Sequence, residues 1–397
     1  MYFKTLAKQD CTGCTACVNV CPRQCILMRV DEEGFYYPII DKEKCIECGL
    51  CEKVCPVESS QSSNDSMPKV YAAYLRNTGE RMKSTSGGIF YAIAKWVVEQ
   101  HGIVYGAAFD ENFKLKHIGV DRMEDLSQLR GSKYLQSYVG NVFSEIKQHL
   151  KAGRWVYFVG VGCQVAGLKA FLRKNYDTLI TSDLVCHGVP SQLMFDWHLG
   201  YLRQKEKGQI VSYSFRDYEG WGGCEKYDFI SLNGKRITRK IYGYFLSPYL
   251  YSFMWAFTHR YSCYGCKFAR IPRQGDVTLA DFWGVKKFFP KINADKGVSL
   301  VLVNNCQGNR IWNQVNSELE YQESSVENAA VENANLTHAS STIPQIRRHC
   351  YEMIAQRGYK SVAENEFRIS NYAKIQILMK LKHSKAGILL RKIKNII

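Results

Sequence analysis

Cysteine recurs in a fixed rhythm twice within the first 57 residues. Cys11, Cys14, Cys17 and Cys21-Pro22 read C-x2-C-x2-C-x3-C-P, and Cys45, Cys48, Cys51 and Cys55-Pro56 repeat the pattern 34 positions later. This is the spacing of bacterial 4Fe-4S ferredoxins, in which the fourth cysteine of each run serves the other cluster. The two-residue gaps let three thiolates converge from one loop, while backbone N–H groups aim at the anionic sulfurs. The three-residue gap carries the last cysteine away. Cys55 is therefore expected to complete the set of Cys11, Cys14 and Cys17, and Cys21 that of Cys45, Cys48 and Cys51. Zinc ribbons use paired cysteines rather than two full quartets each closed by proline. Fewer than 60 residues bury little core, so cluster binding is expected to supply folding free energy. Cys25 lies outside both quartets and reads as a buried thiol.

Composition narrows the setting. With 397 residues, 46% hydrophobic and 23% charged, the chain has the make-up of a folded protein of more than one unit. No run of 18 uncharged apolar residues occurs; the aromatic stretch from Tyr244 to Phe257 is shorter and interrupted by Pro248. Met1 to Asp10 lacks the apolar core of a secretory signal, so the expected location is the reducing cytoplasm, where sixteen cysteines call for metal rather than disulfides. The formal charge is +16, but Arg368, Lys374, Lys380, Lys382, Lys385, Arg391, Lys392 and Lys394 all follow Glu366, the last acidic residue. Three anionic clusters would lower the total to roughly +10, which removes the main argument for a nucleic-acid partner. The stretch 375–397 mixes Leu, Ile and Lys in a manner compatible with a basic amphipathic helix touching a membrane surface or a partner.

After the polar, serine-rich segment 58–68 the pattern alternates strands and helices. VYAAYL, GIVYGAAF, Trp155–Gly160 and Leu179–Cys186 read as strands, and Gly87–Gln100, Gly140–Ala152 and Val165–Lys174 as helices. Antiparallel hairpins are expected over 210–242 around Asn233-Gly234, with later strands in VTLADFW and VSLVLV. Between Asn304 and Ala363 helical runs alternate with polar loops. The expected fold class is α+β / α/β, a small ferredoxin-like two-cluster module followed by a larger mixed-sheet α/β flavin domain. The boundaries expected are 1–57, the linker 58–68, the main domain 69–303, a helical extension 304–366 and a basic tail 367–397.

A second group of cysteines stands at expected strand ends or turns: Cys163 in GVGCQVAGL, Cys186 in DLVCHGVPS, and Cys263 and Cys266 in SCYGCKFAR. Cys163 precedes an expected helix, whose N-terminus stabilises a thiolate. Four cysteines from three segments point to a third 4Fe-4S cluster, although the SCYGC pair alone also fits half a zinc site. Gly160, Gly162 and Gly167 do not have the spacing of a dinucleotide fingerprint. His187 is a candidate proton relay beside Cys186, or a histidine held by backbone carbonyls.

The motifs STSGGIF (84–90), GSKYLQS (131–137), GVGCQVAGL (160–168), DLVCHGVPS and SCYGCKFARIPRQGDVTLADFWG (262–284) resemble the coenzyme F-420 hydrogenase/dehydrogenase beta-subunit family from about Lys69 to Val303. The last is the most specific, since it joins a CxxC pair to Arg273, Asp276 and the run Asp281-Phe282-Trp283-Gly284. Gly162 departs from the family, which usually has proline there. The resemblance implies an FAD-dependent redox domain with its own 4Fe-4S cluster, with substrates that vary among relatives. It implies flavin contacts from Ser86, Gly87 and Gly88 at a helix start, from Lys133, Tyr134 and Gln136, and from Gly160 and Gln164. Arg273, Asp276 and Asp281 either hold the flavin or pair with one another.

The expected function is an iron-sulfur flavoprotein oxidoreductase that passes electrons between three 4Fe-4S clusters and FAD, with hydride transfer to or from a small organic acceptor, deazaflavin coenzyme F-420 or another. The alternative is a non-catalytic electron-transfer component of a larger redox complex. Expected partners are ferredoxin or another redox protein and a small-molecule acceptor, with the chain forming a homo-oligomer or belonging to a complex.

Overall fold

The computed structural model describes residues 2–58, 64, 67–217, 224–339, 342–369 and 372–382. The N-terminal unit is built on one hairpin, β1 (Ile26–Val30) with β2 (Tyr36–Ile40), flanked by the two cysteine loops. The central sheet takes β3 (Lys69–Leu75), β4 (Ile103–Phe109), β5 (Leu115–Val120), β6 (Val156–Val161) and β7 (Leu179–Leu184) from the first half. A separate antiparallel sheet follows, β8 (Gly208–Ser214), β9 (Cys224–Ser231) and β10 (Arg236–Tyr242). The chain then returns to the central sheet with β11 (Val277–Asp281), β12 (Ser299–Val303) and β13 (Leu319–Ser324). The eight strands lie in the order β13-β3-β12-β11-β7-β6-β4-β5; β4, β6, β7 and β11 are parallel to their neighbours among themselves, and the rest pair antiparallel. The fold is the mixed α/β arrangement that the sequence pattern implies.

Burial on both faces explains why these strands read as nearly unbroken apolar runs. Tyr71, Ala73 and Leu75 face one cluster, with the helices Ile89–Glu99 and Cys306–Val315, while Val70 and Ala72 face another with Phe282 and Leu300. Further along the sheet, Val156 and Phe158 pack beneath the helices Val142–Lys151 and Gly162–Leu172.

Two elements differ from the sequence pattern. The helix expected from Val165 begins at Gly162, because the Gln164 side chain turns back to accept the Val161 N–H at 3.1 Å. Cys163 therefore lies inside the first turn. In the stretch expected to hold helices and polar loops, Leu319–Ser324 forms an edge strand on β3 in which Leu319 alone is buried. Ladder hydrogen bonds, not apolar alternation, make it a strand.

The N-terminal unit has no core of its own. Cys14, Ala16 and Val54 pack with Phe143, Val165 and Leu168, and Phe35 and Tyr37 join a cluster with Met194 and Tyr351. Polar contacts fix the same seam: Asn19 donates to the Gly140 carbonyl at 2.8 Å and accepts from the Ser144 N–H at 3.1 Å. A unit too small to bury enough apolar surface borrows it from the larger one. Of the segment 58–68, Asn64 is buried and donates to the carbonyls of Arg273 and Gly275 at 2.8 and 2.6 Å. Among the described residues no helix is long and apolar enough to cross a membrane. A helix spans Tyr372–Lys382; most of the basic tail lies outside the described residues.

Candidate metal centre

The strands β4, β6, β7 and β11 end at one edge of the sheet, where open α/β folds present their ligand crevices. Cys163 follows β6 and Cys186 follows β7, while Cys263 sits in the short helix Tyr261–Tyr264 and Cys266 just beyond it. All four thiols line one cavity of about 60 Å³, together with Gln136, Ser137, Gln164 and Arg260. That volume holds several water-sized atoms. Among the described residues, no three His, Cys, Asp or Glu side chains converge on a single ion position. The donor set and its spread match a multi-atom iron-sulfur cluster better than one zinc ion.

The electrostatics agree. Burial, and then the neighbouring thiols, push the Cys163 thiol far above its usual range, and burial first pushes Cys186 up to about 11. Cys263 shifts in the same direction for the same reason. Four thiolates so placed need bound cations to replace their protons.

In the N-terminal unit, Cys11, Cys14, Cys17, Cys51 and Cys55 line a second cavity of about 30 Å³. The sequence places Cys55 with the first three cysteines, and the fold brings it there. Cys14 is buried, and desolvation pushes its thiol up to about 12, with Cys11 and Cys55 adding to the shift. Cys21 lies 3.4 Å from Cys25, sulfur to sulfur, and Cys25 lies in the field of both Cys21 and Cys45. Cys48 is exposed, at the end of this unit that faces solvent.

One small turn recurs at all three places. The N–H of Gly13 donates to Cys11 Sγ, that of Glu47 to Cys45 Sγ and that of Gly188 to Cys186 Sγ, each at 3.4 Å. Such contacts stabilise negative charge on sulfur. Gly13 has φ +70°, a left-handed conformation suited to glycine, and a Cβ there would sit 2.6 Å from Gln136 Nε2.

The remaining sequence candidates fall into two groups. Ser86, Gly87, Gly88 and Lys133 belong to adjoining loops, joined by Thr85 and Ser132, whose hydroxyls are 3.0 Å apart. Ser86 meets Ser299 hydroxyl to hydroxyl at 3.2 Å, and Gly87 packs so closely on the backbone of Ala73 and Ser299 that any side chain would collide. Lys133 Nζ donates to the carbonyls of Gln128 and Arg130 at 3.1 and 2.8 Å, and burial pushes its amine down to about 7. Hydroxyls, a helix start and a lysine are a donor set that suits a phosphate-bearing cofactor.

Gln136, Gly160 and Gln164 lie on the cysteine side. Gln164 lines the cavity and donates to the Ser137 hydroxyl at 3.1 Å, and Gly160 leaves room for its side chain. Gln136 donates to the Thr12 carbonyl at 2.9 Å and so reaches the first cysteine loop. Tyr134 stacks on Phe253 at 4.7 Å in the aromatic core.

Arg273, Asp276 and Asp281 each pair, but not with one another. Arg273 meets Asp183 at 2.8 Å, Asp276 meets Lys169 at 3.2 Å, and Asp281 meets Arg216 at 2.5 Å. His187 is held by the Met254 carbonyl at 3.0 Å and Asn335 Oδ1 at 3.1 Å. Sequence reasoning missed Arg260, Ser137 and Asn335 in the cavity wall. Nothing in their sequence neighbourhood marks them.

Taken together, these features define a redox protein whose thiols line adjoining cavities of two tightly packed units. Residues 153–329 match the family described as the C-terminal part of the coenzyme F420 hydrogenase/dehydrogenase beta chain, and residues 10–59 match the 4Fe-4S dicluster domain. The chain thus joins an iron-sulfur dicluster domain to a coenzyme F420 hydrogenase/dehydrogenase beta-subunit region, the combination of an electron-transfer oxidoreductase. Among solved structures, it is similar to a chain of the xenon-derivatised F420-reducing [NiFe] hydrogenase complex from Methanosarcina barkeri, with 17% identity, a TM-score of 0.43, and coverage of 77% of this chain and 96% of that one. No match was found among curated proteins.

Proposed function

We propose that this chain is an iron-sulfur flavoprotein oxidoreductase that carries three 4Fe-4S clusters and FAD and exchanges a hydride with a small organic acceptor. The observation that carries the reading is the cavity walled by Cys163, Cys186, Cys263 and Cys266, with Thr12 of the first cysteine loop in the same wall. Cys11, Cys14, Cys17 and Cys55 would hold one cluster, Cys45, Cys48, Cys51 and Cys21 the second, and the cavity the third. The Ser86–Gly88 and Lys133 loops would hold the flavin phosphates, and Gln136 and Gln164 stand on its cysteine side. Clusters supply single-electron transfer, and a flavin converts single electrons to hydride chemistry.

The residues of this chain order the thiol sets and keep them close. Cys48 sets the outer end at solvent. Cys14 sets the middle, packed on the helix that carries Cys163 in its first turn. Burial of the inner set keeps water from the redox centre, and the tight seam between the units holds their separation constant. A redox protein such as ferredoxin would meet the chain at the Cys48 end.

Anaerobic reconstitution is expected to give about twelve irons per chain, and acid extraction to release FAD. The variant Cys263→Ala/Cys266→Ala is expected to drop to about eight; an unchanged iron content in that variant rejects the third site. Reoxidation of the reduced flavin by candidate acceptors, the deazaflavin included, identifies the substrate. A flavin that no small molecule reoxidises would make the chain a non-catalytic electron-transfer component of a larger complex, a role in keeping with the beta subunit named in the matched family.

A further inference from the structure

Arg260 is fully buried, and its guanidinium lies between the first cysteine loop and the inner cavity. Nε donates to the Cys11 carbonyl at 2.7 Å, one terminal nitrogen donates to Gln136 Oε1 at 3.2 Å, and the other to the Tyr36 carbonyl at 3.0 Å. Its carbon lies 4.1 Å from the centre of the Tyr37 ring. On the other side, the Arg260 carbonyl accepts the Cys263 N–H at 2.9 Å, one turn before that thiol. The same residue thus touches the backbone of one thiol loop and borders the cavity of the other.

Every hydrogen-bond acceptor of this cation is neutral. No carboxylate lies within ion-pair distance of it among the described residues, and the nearby Asp31 and Glu33 are taken by Lys8 at 2.7 Å and Arg347 at 2.6 Å. A guanidinium taken out of water without a counter-charge is strongly unfavourable. Two anionic iron-sulfur clusters, one on each side, would supply that charge.

We propose that Arg260 is the fixed counter-charge between the cluster of Cys11, Cys14, Cys17 and Cys55 and the cluster of the inner cavity, and that it sets their reduction potentials. The inference rests on the three-cluster reading above. Each cluster becomes one unit more negative when it accepts an electron, so a buried cation beside both favours their reduced forms. The second N-terminal cluster, with Cys48 at solvent, is not bordered by Arg260 and serves as the internal reference. Arg260 is a positioning residue for charge and takes no part in bond making.

The test is an anaerobic redox titration of the reconstituted full chain, followed by electron paramagnetic resonance, for wild type, Arg260→Gln, Arg260→Lys and Gln136→Glu. Arg260→Gln removes the charge, and Gln136→Glu neutralises it in place without removing the arginine. Both are expected to make two of the three clusters at least tenfold harder to reduce at a given potential, a downward shift of about 59 mV, with the third unmoved. Arg260→Lys keeps the charge and is expected to stay near wild type. A purely structural role would disturb Arg260→Lys as much as Arg260→Gln and shift no potential selectively. Should Arg260→Gln fail to load iron, Gln136→Glu decides alone. Full iron content with all three potentials unchanged overturns the proposal, whereas only two clusters in the wild type overturns the three-cluster reading instead.

Discussion

Gly167 lies against Cys14: a Cβ added to the glycine would sit 3.0 Å from the cysteine sulfur. The helix that carries Cys163 can approach the first cysteine loop only because this position has no side chain. The distance between two thiol sets is therefore written into one glycine. Gly167→Ala is expected to cost stability by about 1–3 kcal/mol through overpacking and to lower the iron content. Gly200→Ala, in the helix Gln192–Glu206 with nothing near the added carbon, is the control, expected to raise stability by up to about 1 kcal/mol. Thermal melting and iron analysis of both variants decide the matter.

Arg347 and Glu33 form a two-point ion pair at 2.8 and 2.6 Å across the seam between the units. Arg347 is fully buried, and its Nε donates to the His259 carbonyl at 2.7 Å. Replacing Glu33 by Gln leaves a buried cation without its counter-charge, at an expected cost of about 3–5 kcal/mol. Urea unfolding should show the N-terminal unit coming away first. A single transition with an unchanged midpoint would contradict this.

Cys25 stands 3.4 Å from Cys21, sulfur to sulfur. In Cys21→Ala, the Cys25 thiol is close enough to take over as ligand, so most of the iron is expected to remain. The double variant Cys21→Ala/Cys25→Ala is expected to lose about four irons per chain. Equal loss in the single and the double variant would show that Cys25 cannot substitute.

His117 is buried, with Nε2 3.0 Å from the Val159 carbonyl and Nδ1 2.9 Å from the Ser137 hydroxyl. Burial pushes its imidazole down from the ordinary 6.5 to about 4. The unfolded chain therefore binds this proton more readily than the folded one, and stability is lost as pH falls from about 6.5 towards 4. Between pH 7.5 and 5.5 the loss is expected to be roughly 1 kcal/mol. His117→Gln should remove that part of the pH dependence, as read from urea midpoints at the two pH values; an identical dependence in the variant would assign it elsewhere. Because Ser137 also accepts from Gln164 at 3.1 Å, this histidine supports the turn that carries Cys163.

The strands were legible where burial imposes apolar runs, as in β3, β4, β6 and β7, and the hairpin β9–β10 was legible from Asn233-Gly234. The strand Leu319–Ser324 was not, because an edge strand with one buried side chain leaves no hydrophobic trace. The helix at Gly162 began earlier than periodicity implies, because a glutamine side chain closes its first turn. The closeness of the N-terminal unit to the rest was hidden for a similar reason. Its docking depends on Asn19, Glu33 and Phe35, which are ordinary residues until their partners at Gly140, Arg347 and Tyr351 are known.

By itself, the sequence determined the chemistry of the ligands, because iron-sulfur loops demand thiols at short, fixed intervals that few other structures need. Tertiary structure alone decided which charges are buried without a counter-ion and which thiol sets adjoin. Arg260 and Gly167 matter through neighbours more than a hundred residues away in the chain, at Cys11 and Cys14. Packing and desolvation act between residues distant in sequence, so no local pattern encodes them.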